Sequence, residues 1–115
     1  MAGSLPADLI VIAEGSATAS TVATQFPGAC VLAAIDAGNL EPVARAVRSR
    51  YPAVQIVVAA DDDRLTPGNP GLTKAREAAA AVGGKLVRPV WPEGAPDDLT
   101  DFNDLAAWLM EAIHA

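Results

Sequence analysis

The sequence is short of cysteine, aromatic residues and basic residues, and each shortage limits what the protein can be. Its one cysteine, Cys30, cannot form an internal disulfide and has no evident base partner, so we interpret it as a buried, reduced thiol. Aromatic residues make up 4% of the chain, so the core must be built from Val, Ile, Leu and Ala. Eight Lys and Arg against fourteen Asp and Glu give a net charge of −6, which argues against a free-standing nucleic-acid binder.

The sequence also lacks an apolar run of the length that spans a membrane, about 20 residues. Residues 1–7 do not have the charged and hydrophobic regions of a signal peptide. We therefore expect a cytoplasmic protein with no membrane partner. Its 115 residues, 51% of them hydrophobic, are enough for a single domain with a full core.

Apolar runs alternate with helical patterns along the chain. The runs predict strands at 8–13, 29–35, 55–60 and 86–90. The spacing of apolar residues and the flanking Pro and Gly predict helices at 16–25, 40–50, 72–82 and 101–114. Strands that are apolar throughout and alternate with helices indicate an α/β fold, with a parallel four-stranded sheet flanked by helices on both faces.

Acidic residues follow three successive predicted strands. Glu14 follows the first strand, Asp36 the second, and Asp61, Asp62 and Asp63 the third. Parallel sheets bind ligands beyond the carboxyl ends of their strands, so these acids are expected at one edge of the molecule. Adjacent carboxylates repel one another, and a divalent cation would offset that repulsion. A solvated acidic turn is the alternative interpretation.

Three further polar residues have two interpretations each. Asp36 either borders the acidic site or caps the second helix, since no G-x-G-x-x-G follows the first strand to support dinucleotide binding. Lys74 either contacts phosphate or is a solvated helix lysine. Arg64 either contacts phosphate or offsets the repulsion among the neighbouring acids. Trp91 and Trp108 are interpreted as packing residues.

The order of these motifs resembles the Toprim domain, which is shared by bacterial-type primases, topoisomerases, and some nucleases and recombination proteins. The resemblance begins with Glu14-Gly15 after the first strand and Asp61-x-Asp63 after the third. Three further segments make it similar to the Toprim module of plasmid conjugative primases and phage-type primase-helicases. They read IDAGNL at 35–40, NPGLTKA at 69–75 and TDFNDL at 100–105.

The resemblance implies roles for particular residues. Glu14 would act as the acid or base of nucleotidyl transfer, or as a metal ligand, while Asp61 and Asp63 would hold Mg²⁺ or Mn²⁺. Asp101 and Asp104 would help to bind further metal. From the residues alone, Thr100 or Asp101 caps the last helix, and the two interpretations are compatible. Gly15 would lie near the site.

The resemblance also implies a function. Residues 1–115 would form a single Toprim-like catalytic domain, a fragment or module of a larger primase that makes RNA primers from NTPs on single-stranded DNA during plasmid or phage replication. No zinc cluster or P-loop is present in the sequence, so other primase or helicase domains would be its partners. The isolated chain is expected to be weakly active or inactive.

Two other kinds of function share these acids. A Toprim-type nuclease or topoisomerase-related enzyme would use them for phosphodiester chemistry, although a topoisomerase needs a nucleophilic tyrosine and Tyr51, the one tyrosine, is expected at the amino-end side of the sheet. A receiver-like signalling module also gathers acids around Mg²⁺, but it places paired acids after its first strand. A structural adaptor would not need the acids at all.

Overall fold

The computed structural model describes residues 8–114, with side chains described as far as residue 111. This part of the chain contains four strands and four helices. The strands are β1 (Leu9–Ala13), β2 (Cys30–Ala33), β3 (Gln55–Ala59) and β4 (Lys85–Val87). The helices are α1 (Ser16–Gln25), α2 (Leu40–Arg50), α3 (Pro70–Val82) and α4 (Phe102–His114), and a 3₁₀ turn (Ala37–Asn39) precedes α2. The predicted absence of a signal peptide concerns residues 1–7, which lie outside the described residues.

The strands form one parallel sheet in the order β2-β1-β3-β4. Val11 of β1 pairs with Val31 on one side and with Val57 on the other. After β2 the chain crosses back over β1 to form β3, so the strand order reverses between β1 and β3. In open parallel sheets such a reversal opens a crevice at the carboxyl ends of the two strands, where ligands bind.

The strand side chains alternate between two cores, one on each face of the sheet. Ile10, Ile12, Ile56 and Val58 belong to the core on the side of α2 and α3, where buried alanines of α3 allow close packing. Val11, Ala13, Val57 and Ala59 belong to the core on the side of α1, where Phe102 of α4 also packs. The predicted α/β fold with helices on both faces is confirmed.

Arg48 connects three segments by hydrogen bonds near the amino ends of the strands. Its Nε donates a hydrogen bond to the Val82 carbonyl oxygen (3.0 Å), at the end of α3. Its Nη1 donates to the carbonyl oxygens of Val54 (2.6 Å) and Pro52 (3.2 Å), just before β3. Arg48 lies at the C-terminal ends of α2 and α3, where a cation interacts favourably with the helix dipoles. One side chain therefore ties α2, α3 and the start of β3 together.

Some predicted boundaries were wrong. β4 ends at Val87 rather than at residue 90, and Pro89 has no N–H with which to continue a ladder. β2 ends at Ala33, and Ile35 has a left-handed φ of 85° that does not fit a strand. α3 begins at Pro70, two residues before the predicted start at residue 72, because proline is suited to the first turn of a helix.

Two other expectations concern Cys30 and the membrane. Cys30 lies in β2 and is half-buried rather than buried. Over the described residues, none of the helices combines the length and the apolar character that crossing a bilayer requires.

Candidate functional site

Glu14 and Asp61 meet at the carboxyl edge of the sheet, where the strand order reverses. Glu14 directly follows β1, and a single residue, Ala60, separates Asp61 from the end of β3. β1 and β3 are neighbours whose last residues, Ala13 and Ala59, pair in register. The two carboxyl groups are close enough to share a hydrogen bond. Two acids that are 47 positions apart in the sequence therefore lie together at one edge of the sheet.

The electrostatic environment of Asp61 is unusual. The pKa of this carboxyl is raised from 3.8 to about 8, most strongly by burial and then by the hydrogen bond with Glu14 and the charges of Glu14, Asp101 and Asp63. The Asp61 Oδ1 atom is buried and has no hydrogen-bond partner among the described residues. Within that same part of the chain, no Lys or Arg forms an ion pair with Glu14, Asp61 or Asp63. The site therefore gathers acidic groups without a basic side chain paired to them, which keeps Asp61 protonated at neutral pH.

These carboxylates are chemically suited to a divalent cation. Mg²⁺ takes hard oxygen ligands, and a cation would favour the ionised form of Asp61 that burial and the nearby acids disfavour. The unpartnered Oδ1 of Asp61 is an available acceptor. Among the side chains that the structure describes, however, no group of three or more His, Cys, Asp or Glu is already arranged to hold one ion. The acids are gathered, but they are not preset as a complete ligand set.

Gly71, in the first turn of α3, lies against two of the acids. Its backbone N–H donates to Asp63 Oδ2 (2.8 Å), which places this carboxylate at the positive end of the helix dipole. A Cβ atom at position 71 would lie 2.7 Å from Asp63 Oδ2 and 2.9 Å from the Cβ of Asp61. Only glycine therefore lets α3 approach the acids this closely.

Asp62, the middle acid of the three, has a different environment from its neighbours. It is 4% exposed, and both of its carboxylate oxygens accept hydrogen bonds. Asn69 Nδ2 donates to Oδ1 (2.7 Å), and Trp91 Nε1 donates to Oδ2 (3.1 Å). Trp91 is thus more than the packing residue that the sequence suggests. No local sequence signal links Asp62 to a tryptophan 29 residues away.

Asn69 organises the loop between β3 and α3. It adopts a left-handed conformation (φ 42°) at the N-cap of α3, a conformation that asparagine tolerates better than most residues. Its Oδ1 accepts from the backbone N–H of Asp63 (2.7 Å) and of Leu72 (3.4 Å). One side chain therefore caps the helix and fixes the backbone of an acidic residue.

Arg64 links the strand-end acids to the segment between β4 and α4. Its guanidinium lies 4.5 Å from the centre of the Trp91 ring, within cation–π distance. Nη2 donates to the carbonyl oxygens of Pro96 (3.0 Å) and Leu99 (3.3 Å), while Nε lies 4.0 Å from Asp62 Oδ2. These contacts support the interpretation that Arg64 offsets acidic repulsion. Its contact with phosphate stays a prediction.

Asp101 and Asp104 cap α4 reciprocally. Asp101 Oδ1 accepts from the Asp104 backbone N–H (2.7 Å), and Asp104 Oδ2 accepts from the backbone N–H groups of Thr100 (2.9 Å) and Asp101 (3.4 Å). The predicted capping by Asp101 is therefore present. The charge of Asp101 also reaches Asp61, where it raises the pKa of that carboxyl.

The remaining predicted residues have other partners in the structure. Asp36 accepts from the Asn39 backbone N–H (3.0 Å) and caps the 3₁₀ turn before α2. Lys74 is exposed and pairs with Glu77 at 3.7 Å, as expected of a solvated helix lysine. Gly15 is the N-cap of α1, next to Glu14. Roles of these residues in the site itself stay predictions.

Comparisons with known proteins agree on the family that the chain resembles. The family model described as the Toprim domain matches residues 9–108. Two curated relatives from Escherichia coli are both named DNA primase TraC. One is 50% identical over 92 residues, which cover 76% of this chain and 9% of the primase. The other is 46% identical over 105 residues, which cover 88% of this chain and 7% of the primase.

The chain thus spans less than a tenth of the length of these relatives. A search of solved structures gives no significant match.

Proposed function

The chain belongs to the Toprim domain family, and from that membership we propose that it is the metal-dependent nucleotidyl-transfer module of a DNA primase. The single observation that best supports this function is the contact between Glu14 and Asp61 beside Asp63, at the point where the strand order reverses. The identity to two proteins named DNA primase favours primer synthesis over other chemistry of the same acids. The reaction would join NTPs into an RNA primer on single-stranded DNA.

The roles that we propose for the acids come from the family resemblance, and their surroundings support them. Asp61 and Asp63 would hold Mg²⁺ or Mn²⁺, with Asp101 close enough to add its charge. When bound, the cation would stabilise the negative charge that develops on the phosphoryl oxygens as a 3′-hydroxyl attacks the α-phosphate, and would position the two reactants. Glu14, adjacent to Asp61, would take the hydroxyl proton or deliver one to the leaving group.

Within this chain, the fold does not bring a tyrosine to the acids, as one alternative within the same family would require. A topoisomerase needs a nucleophilic tyrosine near its acids, and Tyr51 directly follows α2 and precedes β3. It therefore lies at the amino-end side of the sheet, where it packs against the core. A nuclease of this family needs no tyrosine, and it would cleave DNA without NTPs.

The test is primer synthesis by a full-length primase that contains this domain. Glu14→Gln should reduce primer synthesis about 100-fold or more, the range typical of lost acid–base catalysis. Asp61→Asn and Asp63→Asn should also reduce primer synthesis strongly, because each removes a metal ligand. Asp98→Asn is the matched control, because Asp98 is an exposed acid outside the cluster and its loss should leave the rate unchanged. Full activity of Asp61→Asn and Asp63→Asn would instead indicate an adaptor. Cleavage of DNA without NTPs would indicate a nuclease.

The isolated chain should bind Mn²⁺ weakly and make primers poorly or not at all, because it spans less than a tenth of the related primases. Robust primer synthesis by the isolated chain would contradict this expectation.

A further inference from the structure

We propose that Asp62 is a positioning residue that holds Asp63 and Asp101 in place for metal binding, and is not itself a metal ligand. This inference rests on the proposed function. It assigns a role to the one acid of the strand-end cluster that the resemblance leaves without one. It also gives Trp91 a role, since the indole is one of the two groups that the Asp62 carboxylate binds.

The Asp62 carboxylate is already committed to other protein groups. It is 4% exposed, with Asn69 Nδ2 at 2.7 Å from Oδ1 and Trp91 Nε1 at 3.1 Å from Oδ2. The Arg64 guanidinium lies on the Trp91 ring and completes the surroundings of Oδ2. A carboxylate with both oxygens occupied by donors is poorly placed to replace water around a cation. By contrast, Oδ1 of neighbouring Asp61 is buried with no hydrogen-bond partner among the described residues.

The contacts of Asp62 lead to two of the metal-site acids. On one side, Asn69 binds Asp62 through Nδ2 and the Asp63 backbone N–H through Oδ1 (2.7 Å), so the two interactions fix a single orientation of the amide. On the other side, the Asp62 backbone N–H donates to the Thr100 carbonyl oxygen. Thr100 directly precedes Asp101, whose charge reaches Asp61. Asp62 therefore joins the β3–α3 loop to the start of α4.

Asparagine cannot replace Asp62 without loss, although it has the same shape. Both partners of the carboxylate are donors, whereas a side-chain amide offers one acceptor and one donor group. The Trp91 indole can only donate. Reversal of the Asn69 amide would sacrifice its hydrogen bonds with Asp63 and Leu72. Asp62→Asn must therefore break one side of the network while leaving the packing volume unchanged.

The experiment measures Mn²⁺ affinity and Trp91 fluorescence in this chain. Trp108→Phe serves as the background, so that Trp91 is the one tryptophan. In that background Asp62→Asn should shift Trp91 emission to longer wavelength and weaken Mn²⁺ binding about tenfold, as loss of a residue that supports a metal ligand does. Asp63→Asn should abolish most Mn²⁺ binding and leave the Trp91 emission in place. Matching amide spectra at a temperature well below unfolding establish that each variant is folded.

A second variant separates positioning from folding. Trp91→Phe keeps an aromatic ring but removes the indole donor, and it should also weaken Mn²⁺ binding. Asp62→Asn and Trp91→Phe combined should weaken binding by less than the product of their separate effects, because both break the same contact. If Asp62→Asn fails to fold, the Mn²⁺ affinity of Trp91→Phe alone decides the question, and an unchanged affinity would overturn the inference.

Three results would overturn the proposal. Unchanged emission and Mn²⁺ affinity in Asp62→Asn would show that the network does not support the site. Loss of Mn²⁺ binding as severe as in Asp63→Asn, with unchanged emission, would make Asp62 a direct ligand. Failure of the unsubstituted chain to bind Mn²⁺ would remove the metal site and the proposed function together, whereas the first two results leave that function standing.

Discussion

Gly71 is the residue of the candidate site that is restricted by steric crowding and not by charge. Replacement by alanine would place a Cβ atom 2.7 Å from Asp63 Oδ2 and 2.9 Å from the Asp61 Cβ, so the first turn of α3 has to move away from the acids. We expect Gly71→Ala to lower the free energy of unfolding by about 1–3 kcal/mol, as overpacking does. It should also weaken Mn²⁺ binding. Urea denaturation and a Mn²⁺ titration measure the two effects.

Gly28→Ala is the control for this substitution. A Cβ atom at position 28 would meet nothing within 4 Å, and Gly28 lies in the turn between α1 and β2. Its unfolding free energy and Mn²⁺ affinity should stay close to those of the unsubstituted chain. Equal stability and Mn²⁺ affinity of the two variants would mean that α3 can shift without disturbing the acids.

The residues of the site were predictable from sequence to different degrees. Glu14 and Asp61 could be found because each follows an apolar strand, and parallel strands bring such positions to one edge. The partners of Asp62 could not be found in this way. Its contact with Trp91 depends on how the irregular segment after β4 folds back, and neither helical nor strand periodicity describes that segment.

At the scale of elements, the start of α4 combines two roles that a pair of substitutions can separate. Asp101→Asn keeps a good N-cap residue but removes the charge that acts on Asp61. We expect it to change the free energy of unfolding by less than about 0.5 kcal/mol while weakening Mn²⁺ binding. Asp101→Ala removes the cap as well, and it should lower the unfolding free energy by about 1 kcal/mol. Thermal or urea denaturation with Mn²⁺ titration distinguishes the variants.

The capping role alone would predict another pattern. If Asp101→Asn binds Mn²⁺ as tightly as the unsubstituted chain, then Asp101 serves α4 and not the metal. The acidic site would in that case consist of Glu14, Asp61 and Asp63.

The elements themselves were largely predictable, and their ends were less so. The bounds of α1 and α2 match the prediction because Pro and Gly punctuate both helices. The predicted end of β4 was too late because the prediction reached the apolar Val90, whereas the ladder stops at Val87, before Arg88 and Pro89. The 3₁₀ turn before α2 was not predicted, since it depends on the hydrogen bond that the Asn39 backbone N–H donates to the Asp36 side chain.

At the scale of the whole molecule, the pH dependence of stability should report the acidic site. The folded chain keeps a proton on Asp61 up to a pKa of about 8, whereas the unfolded chain loses it near 3.8. Between these values the folded state binds more protons, so the contribution of Asp61 to the free energy of unfolding should fall as the pH rises. It is fully present below the lower value and is lost once the pH has passed the upper one. Denaturation of the metal-free chain across this range measures it.

Asp61→Asn and Mg²⁺ are the two controls for this pH dependence. The asparagine does not ionise, so the fall in stability with pH should be smaller in that variant. Saturating Mg²⁺ should also reduce the fall, because a bound cation favours the ionised carboxylate. An Asp61→Asn variant with the same pH profile as the unsubstituted chain would assign the effect to other groups.

The strand order was the part of the whole fold that the sequence left open. Apolar strands alternating with helices predict a parallel sheet, but the same pattern is compatible with several orders. The order β2-β1-β3-β4 makes β1 and β3 neighbours, and this adjacency brings Glu14 to Asp61. Which helix covers which face decides that order, and helix patterns do not specify it.

The hydrogen bonds of Arg48, at the rim opposite the acidic site, provide a control for the effect of lost stability on activity. Damage there should weaken the scaffold without touching any group that handles phosphate or protons, since its partners are main-chain carbonyl oxygens. An Arg48 variant therefore measures how much activity is lost through instability alone. If a variant of the acidic site has the same unfolding free energy but loses more activity, the additional loss is a direct effect on catalysis.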